Sequence, residues 1–204
     1  MSKIILSTDI DDADIINLRI GDIVYLSGTL VTARDAVHER LLREGRDLPF
    51  SLAGKALLHA GPIMRSLPDG TFETISIGPT TSMRMEALEA EFIARTGVKL
   101  VIGKGGMGAK TAAACRKYRA LHCVFPGGCA VLAATHVEKV ESVDWLDLGM
   151  PEALWRLQVR EFGPLIVSID CAGQNLFEDK KIAYNARKAE IIKTVLTAST
   201  NKSI

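Results

Sequence analysis

The middle of the chain contains the pattern that most limits how it can fold: an apolar strand, a glycine-rich loop, a helix and a second apolar strand in direct succession. VKLVIG (98–103) has the composition of a buried strand, and the loop GKGGMG (103–108) follows it. AKTAAACRKYRA (109–120) is typical of a helix, and LHCVF (121–125) of another strand. Strands that alternate with helices in this way indicate an α/β fold.

The same alternation extends along the rest of the chain. GDIVYLSGTLV (21–31) is typical of a strand that is interrupted at Ser27 and Gly28. Further strand-length runs are KALLHAG and TISIG, joined by the turn-rich SLPDG, and then LWRLQV and PLIVSID. Helical spacing is found in ARDAVHERLLRE, in SMRMEALEAEFIART with Gly97 just past its end, and from about Asp179 to Leu196.

Length and composition favour one domain over several. The 204 residues include 48% hydrophobic residues, enough for one sizeable core but too few for two ordinary domains. We therefore expect residues 1–204 to form a single α/β domain with a mixed sheet.

The charge balance and the chain start exclude several classes of partner. Lys and Arg total 25 against 24 for Asp and Glu, so a net charge of +1 gives no basis for binding nucleic acid or an anionic membrane. The start MSKIILSTDIDDAD lacks the pattern of a secretory signal, and no apolar run reaches the roughly 18 residues of a membrane helix. We expect a cytoplasmic protein.

The cysteines fit a reducing compartment and show no ligand spacing. Cys115, Cys123, Cys129 and Cys171 include no C-x-x-C pair. The first three lie among apolar or small residues, where free cysteine is usually a buried small hydrophobe. We therefore predict that this chain supplies no metal ligands.

Two basic residues occur where a helix should begin. In TARD, Thr32 and Asp35 form a capping-box pattern that would place Arg34 in the first helical turn. In GPTTSMRM, a Thr or Ser at 80–82 can cap the next helix and would place Arg84 in its first turn. A cation at a helix N-terminus is disfavoured by about 0.3 to 1 kcal/mol, so both placements suggest a functional reason.

Lys104 adds a third cation, in the loop before the helix that begins near residue 109. If the three helix starts converge, their free N–H groups and the cations would form a pocket for a small dianion such as a dicarboxylate. Each cation alone has a simpler explanation: Arg34 can pair with Asp35 or Glu39, and Lys104 can lie in solvent.

The glycine-rich loop also suggests two nucleotide sites. Gly103, Gly105 and Gly108 satisfy G-x-G-x-x-G, but the acidic residue expected about 20 positions later is missing, so a dinucleotide-binding module is a weak alternative. A P-loop ending at Lys110 and Thr111 lacks its required glycines. The four histidines, His38, His59, His122 and His136, show no catalytic spacing and are interpreted as ordinary buried or surface residues.

Taken together, these segments resemble the β subunits of class I fumarases and tartrate dehydratases. The resemblance runs in order along nearly the whole chain, through GDIVYLSGTLVTARDAVHERL, HAGPI, SIGPTTSMRMEALEAEFI, GVKLVIGKGGMG, FPGGCAVLAATHVEKVE, LGMPEALW and EFGPLIVSID. It implies a swivelling β/β/α domain and a larger α subunit that holds a [4Fe-4S] cluster through its own cysteines, in an α2β2 heterotetramer. The active site would lie where the two subunits meet.

The resemblance also implies roles for residues of this chain. Arg34, Thr80, Arg84 and Lys104 match positions that contact the substrate, and Thr80 and Lys104 are the expected catalytic residues. In this scheme the iron acts on the C2 hydroxyl, the cations fix the two carboxylates, and the residue matching Thr80 takes the C3 proton. Because an alcohol is a poor base, a role for Thr80 in hydrogen bonding alone stays open.

The expected reaction is the dehydration of L-tartrate to oxaloacetate. Similarity along the whole chain, particularly in GPTTSMRME and LGMPEALW, favours tartrate over malate or fumarate. The β subunit of a class I fumarase is the alternative.

Overall fold

The computed structural model describes residues 3–200, with the side chains of residue 189 and of 195–200 left out of the description. The strands are β1 (Ile4–Ser7), β2 (Ile23–Thr32), β3 (Ala56–Leu58), β4 (Ala60–Ser66), β5 (Phe72–Pro79), β6 (Leu100–Gly103), β7 (Leu121–Val124), β8 (Val137–Asp144) and β9 (Leu154–Ile169). The helices are α1 (Asp12–Ile15), α2 (Asp35–Leu42), α3 (Glu86–Thr96), α4 (Ala109–Tyr118), α5 (Ala130–Ala134) and α6 (Leu176–Thr200), with short 3-10 helices at Ser82–Met85 and Leu146–Leu148.

The main sheet mixes parallel and antiparallel pairing. Its strand order is β1-β2-β3-β6-β7-β9-β8, and the pairs from β1 through β7 are parallel. Strand β9 runs antiparallel to β7, to β8 and also to β2, so it closes the strands between β2 and β7 into a ring. Strands β4 and β5 form a separate two-stranded sheet. The predicted α/β class with a mixed sheet is confirmed.

Apolar side chains fill two regions on either side of the main sheet. One core lies within the ring of strands and includes Leu26, Leu30, Trp155 and Phe162. The second core packs helices α2, α3 and α4 against the outer sides of β3 and β6, where Leu57 and Val101 are buried. The burial of alternate residues on opposite faces is the usual period of a strand, and here both faces are covered.

Several boundaries differ from the sequence-based expectations. Strand β2 continues through Ser27 and Gly28, because Gly28 takes a φ of +121° and a shift in register absorbs the irregularity. LWRLQV and PLIVSID belong to one strand, β9, with a positive φ at Glu161 between them. Strand β8 was not anticipated, and α6 begins at Leu176 and not near Asp179. Among residues 3–200, no helix has the length and apolar content needed to span a bilayer.

Candidate functional site

The carboxyl ends of the parallel strands lie along one edge of the main sheet. Neighbouring strands β2, β3 and β6 end at Thr32, Leu58 and Gly103. Because ligands of α/β sheets bind beyond these ends, the residues that follow each strand are the first place to look for a site. Those residues include Arg34 after β2 and Lys104 after β6, two of the cations that the sequence singled out.

Backbone hydrogen bonds join Thr80 to this edge from both sides. The Thr80 N–H donates to the carbonyl of His59 (2.7 Å), and the Thr80 carbonyl accepts from the N–H of Lys104 (2.9 Å). The Lys104 carbonyl in turn accepts from the N–H of Ser82 (3.0 Å). Thr80 and Lys104 are therefore adjacent, although they are far apart in sequence.

Arg34 occupies the N-cap of α2, and not the first helical turn. The predicted capping box is wrong, because Thr32 is still in β2 and its buried hydroxyl bonds to the backbone of β9 and the segment before it. A different carboxylate caps the helix: Glu152 accepts from the Ala36 N–H (3.2 Å) and pairs with the Arg34 guanidinium (3.1 Å). Arg34 is thus held by Glu152, and not by the neighbouring Asp35.

Arg84 lies in the 3-10 turn that precedes α3 and reaches the start of α2. Its Nη2 lies 2.9 Å from an Asp35 carboxylate oxygen, and half of the side chain is exposed. Since Asp35 directly follows Arg34, this ion pair brings the two arginines to the same helix start. Because half of the Arg84 side chain reaches solvent, its guanidinium is also accessible to another anion at this edge.

Lys104 is exposed and close to the glycine loop after β7. A β-carbon on Gly127 would lie 3.0 Å from the Lys104 Cδ, so the loop backbone packs against the lysine stem. Within residues 3–194, the Lys104 ammonium has no carboxylate partner, and the Thr80 hydroxyl makes no hydrogen bond. The structure therefore brings Arg34, Thr80, Arg84 and Lys104 to one edge.

The N-terminus of α4 is already capped by a side chain. Glu86 accepts from the N–H groups of Gly108 (2.7 Å) and Lys110 (3.1 Å) and from the Thr111 hydroxyl (2.6 Å). The expectation that this helix start offers free N–H groups to a ligand is wrong, because an internal carboxylate takes them. The same contacts occupy the place where a dinucleotide would need its pyrophosphate.

The glycines of the G-x-G-x-x-G pattern are explained by packing within the chain. A β-carbon on Gly103 would lie 1.9 Å from the Ser82 hydroxyl, and one on Gly108 would lie 2.6 Å from Glu86. Gly105 has a φ of +74°, and a β-carbon on the neighbouring Gly106 would lie 2.7 Å from the ring of Phe177. These close approaches account for the motif without a nucleotide.

A polar cluster that the sequence analysis missed lies directly beneath this edge. Glu89 contacts both His38 (3.1 Å) and His59 (3.2 Å), and His59 also contacts the Ser82 hydroxyl (3.1 Å). All four residues are fully buried. Burial by itself raises the pKa of Glu89, but the adjacent His59 and His38 lower it well below its usual value.

One sequence signal could have found the cluster. Glu89 lies on the same helical face as the buried residues Met85, Phe92 and Ile93, where a lone carboxylate is unexpected. Although Ser82, His59 and Glu89 are the residue types of a hydrolytic triad, the Ser82 hydroxyl has no exposed surface for a substrate to reach.

The cysteines are arranged largely as expected. Cys115 and Cys123 are fully buried, and burial raises the pKa of each thiol, so both are neutral and poor ligands. Cys129 differs from the prediction, since it is only partly buried and its thiol donates to the Pro126 carbonyl (2.8 Å). Cys171 is also buried, and its pKa is raised to about 11.

Comparison with known proteins identifies the protein family of this chain. The chain matches the family described as Fumarase C-terminus over residues 1–180, and it belongs to that family.

Within the family, the chain resembles tartrate dehydratase subunits along most of its length. It is 55% identical over 193 residues to the L(+)-tartrate dehydratase subunit beta of Escherichia coli (strain K12), which covers 95% of this chain and 96% of that protein. A putative L(+)-tartrate dehydratase subunit beta of Methanocaldococcus jannaschii is 45% identical over 170 residues, 81% of this chain and 87% of that protein. A putative fumarate hydratase class I of Geobacillus stearothermophilus is 38% identical over 86% of this chain but only 34% of that longer protein.

Proposed function

We propose that this chain is the β subunit of a hydro-lyase that dehydrates L-tartrate to oxaloacetate together with a larger α subunit. The observation that carries the proposal is the 55% identity, over nearly the whole of both chains, to an L(+)-tartrate dehydratase subunit beta. The gathering of Arg34, Thr80, Arg84 and Lys104 at one edge supports it, because a dicarboxylate requires several converging cations.

The cations of this edge bind and orient the substrate. Arg84 and Lys104 are accessible, and each can accept a carboxylate: Arg84 by releasing Asp35, and Lys104 without losing an internal partner among the described residues. Arg34 is more buried and already shares Glu152, so it contributes positive potential and a fixed geometry at the other carboxylate. Positive charge fixed near both carboxylates also stabilises the negative charge that develops at C3 as its proton leaves.

Elimination of water then needs a group that accepts the C3 proton. The C3–H electron pair forms the C2–C3 double bond, the C2–O bond breaks, and the hydroxyl leaves as hydroxide, which becomes water by taking up one proton equivalent to the one lost from C3. The remaining enol becomes oxaloacetate by moving its proton to carbon. We assign the C3 proton acceptor to the Thr80 hydroxyl, next to Lys104, whose positive charge lowers the cost of forming an alkoxide. If a partner residue or water accepts the proton, Thr80 hydrogen-bonds the substrate instead.

The cluster that this family resemblance implies does not fit the cysteines of this chain. Cys115, Cys123 and Cys171 are buried with raised pKa values, and in the described part of the chain no set of thiolates faces the edge that holds Lys104. We therefore assign the [4Fe-4S] cluster to the α subunit in an α2β2 heterotetramer. The unpaired cysteines suit a cytoplasmic enzyme.

The β part of a class I fumarase is the second candidate. It rests on the 38% identity to the putative fumarate hydratase class I, which extends over most of this chain. Malate and tartrate both carry two carboxylates, so the cations of this edge serve either substrate, and the second hydroxyl of tartrate is the feature that separates them.

Co-expression with a candidate α subunit under anaerobic conditions tests the proposal. Rates are compared on L-tartrate, D-tartrate and malate, with each subunit alone as a control. We expect activity only in the assembled pair and the highest kcat/KM on L-tartrate. A higher kcat/KM on malate would favour the fumarase, and an inactive but correctly assembled, cluster-loaded pair would contradict both candidates.

A further inference from the structure

The buried cluster beneath the edge contains one carboxylate oxygen shared by two histidines. The same oxygen of Glu89, Oε2, lies 3.1 Å from Nε2 of His38 and 3.2 Å from Nε2 of His59. The other nitrogen of each ring is also engaged: Nδ1 of His38 contacts the Arg34 carbonyl (2.9 Å), and Nδ1 of His59 contacts the Ser82 hydroxyl (3.1 Å). His38 is therefore hydrogen-bonded at both ring nitrogens, whereas Nε2 of His59 has only an ion-pair contact with Glu89.

The partners of His38 require a proton that a neutral ring does not carry. The Arg34 carbonyl can only accept, so Nδ1 of His38 must bear a hydrogen. Nε2 faces a carboxylate oxygen, so a second proton must lie between His38 and Glu89. His59 needs none beyond its own, because Ser82 can donate to Nδ1, and its Nε2 lies 3.2 Å from Glu89 without forming a hydrogen bond.

This cluster also links the segments that hold the proposed substrate-binding residues. His38 fixes the carbonyl of Arg34 itself, and the backbone carbonyl of His59 accepts from the Thr80 N–H (2.7 Å). The Ser82 hydroxyl fixes the 3-10 turn that contains Arg84. A displacement of Glu89 would therefore change the positions of Arg34, Thr80 and Arg84 together.

We propose that Glu89, His38, His59 and Ser82 form a buried positioning network, with His38 held as an imidazolium against an ionised Glu89. The proposal rests on the proposed function only in its claim that the positioned segments bind a dicarboxylate. The network does not touch the substrate: it acts through the backbone of Arg34 and Thr80 and through the turn of Arg84.

Neutral and aromatic groups surround the network. The Cys115 thiol from α4 and His122 from β7 interact electrostatically with Glu89, and both are neutral: burial raises the pKa of Cys115, and burial lowers that of His122 to about 3. The ring of Phe92 stacks on His38 with 4.1 Å between centroids, which suits a cation over an aromatic face. The lowered pKa of Glu89 agrees with an ionised carboxylate.

A metal ion is the competing occupant of the cluster. The ligand atoms of His38, His59 and Glu89 lie within 4.8 Å of one another, as they would around zinc. The hydrogen bond between His38 and Glu89 already accounts for the approach of one ring to that oxygen, and a proton is the occupant that we propose. Metal analysis of the purified assembly distinguishes the two.

The test uses the complete αβ assembly with Glu89→Gln, which keeps the size of the side chain and removes its charge. We expect the KM for the dicarboxylate to rise at least about fivefold, with a smaller rise for Ser82→Ala. His122→Asn is the matched control, because His122 is equally buried and also bonds to a serine, Ser168 (2.6 Å), yet contacts none of the four residues at the edge. A lower unfolding temperature in Glu89→Gln with an unchanged KM would reduce the network to a structural role and overturn the proposal.

Solid-state nitrogen NMR of the assembly, with 15N-histidine in this chain only, tests the proton directly. At neutral pH we expect a histidine with both ring nitrogens protonated, and its loss in Glu89→Gln and in His38→Asn but not in His122→Asn. Neutral His38, or a metal ion present at one per chain and lost in Glu89→Gln, would overturn the proposal. These spectra need no turnover, so an assembly that processes neither tartrate nor malate would refute the proposed function and leave the network testable.

Discussion

His59 and His122 are both fully buried, and each presents Nδ1 to a serine hydroxyl, yet their surroundings differ in one group. His59 follows β3 and its Nε2 lies 3.2 Å from the Glu89 carboxylate, whereas Nε2 of His122, within β7, forms no ion pair in the described part of the chain; neither Nε2 atom forms a hydrogen bond. Without a carboxylate, burial lowers the pKa of His122 to about 3 and keeps the ring neutral.

The difference shows that the buried charge of Glu89 lies in one part of the molecule, next to the candidate site. The His122–Ser168 pair lies between β7 and β9, in a part of the sheet that needs only neutral packing. The charged cluster with Glu89 lies under the edge where Arg34, Thr80 and Arg84 gather. Proteins tolerate costly polar groups mainly at functional sites, so the contrast favours this edge as the working part of the chain.

The largest expected effect comes from removing the carboxylate altogether. Glu89→Ala leaves two buried histidines without their shared acceptor, and breaking a buried charged pair costs about 3 to 5 kcal/mol. Thermal unfolding of the purified assembly measures the loss. His122→Asn, which keeps a polar partner for Ser168, should cost much less, and equal losses in the two variants would remove the distinction between the two histidines.

The pH dependence of unfolding tests whether His122 is neutral in the folded protein. Below the ordinary pKa of 6.5, the unfolded chain protonates His122 while the folded chain does not until about pH 3. Stability that is complete above pH 6.5 is therefore lost as the pH falls through this window, by roughly 1.4 kcal/mol per pH unit at most. His122→Asn should flatten the curve there. An unaltered slope would show that His122 is protonated in the folded protein.

Glu89 should affect a lower pH range. Its folded pKa lies below the ordinary value of 4.5, so its contribution is present above that pH and is lost as the pH falls further. Glu89→Gln should therefore change the slope of stability against pH below about 4.5. An unaltered slope in that range would mean that Glu89 is not ionised in the folded protein.

At the edge itself, Arg84→Ala should lower tartrate kcat/KM more than about tenfold, a loss above about 1.4 kcal/mol, and leave the assembly intact. Lys104→Ala should behave in the same way, because both remove a cation aimed at a carboxylate. Arg65→Ala is the control, since Arg65 forms an exposed ion pair with Glu73 in the β4–β5 hairpin. Full activity of Arg84→Ala would remove Arg84 from the site.

A smaller effect is expected from crowding Arg34 without removing it. A β-carbon on Gly61 would lie 2.6 Å from the Arg34 guanidinium and 3.0 Å from Pro151, so Gly61→Ala should displace the arginine and raise the KM a few-fold. Gly78→Ala is the control, because Gly78 pairs with Gly61 across strands β4 and β5 and its added carbon would contact only Ala130. Equal effects would mean that the hairpin, and not Arg34, responds.

Sequence reasoning located the cations because their signals are local. Arg34, Arg84 and Lys104 each stand between a strand and a helix, and the order of those elements is visible in the apolar pattern. The α/β class follows from the same pattern. The closing of the sheet by β9 could not be predicted from that pattern, because the pairing of β9 with β2 joins residues more than 120 positions apart.

The groups that occupy the helix starts could not be found in the same way. Glu152 caps α2 from 116 residues away, and Glu86 caps α4 from 22 residues away. Capping patterns in a sequence join residues only a few positions apart, so they cannot reveal either of these caps. The local pattern at Thr32 therefore predicted the wrong cap. The contact between His38 and Glu89 spans 51 residues and was missed for the same reason.

We propose above all that this edge binds a dicarboxylate, and inhibition by succinate measures that binding most directly. Succinate has both carboxylates and no hydroxyl to eliminate, so its inhibition constant against L-tartrate, in the αβ assembly, reports binding alone. We predict competitive inhibition that weakens more than about tenfold in Arg84→Ala and in Lys104→Ala and is unchanged in His122→Asn. Inhibition of equal strength in all four proteins would contradict the account.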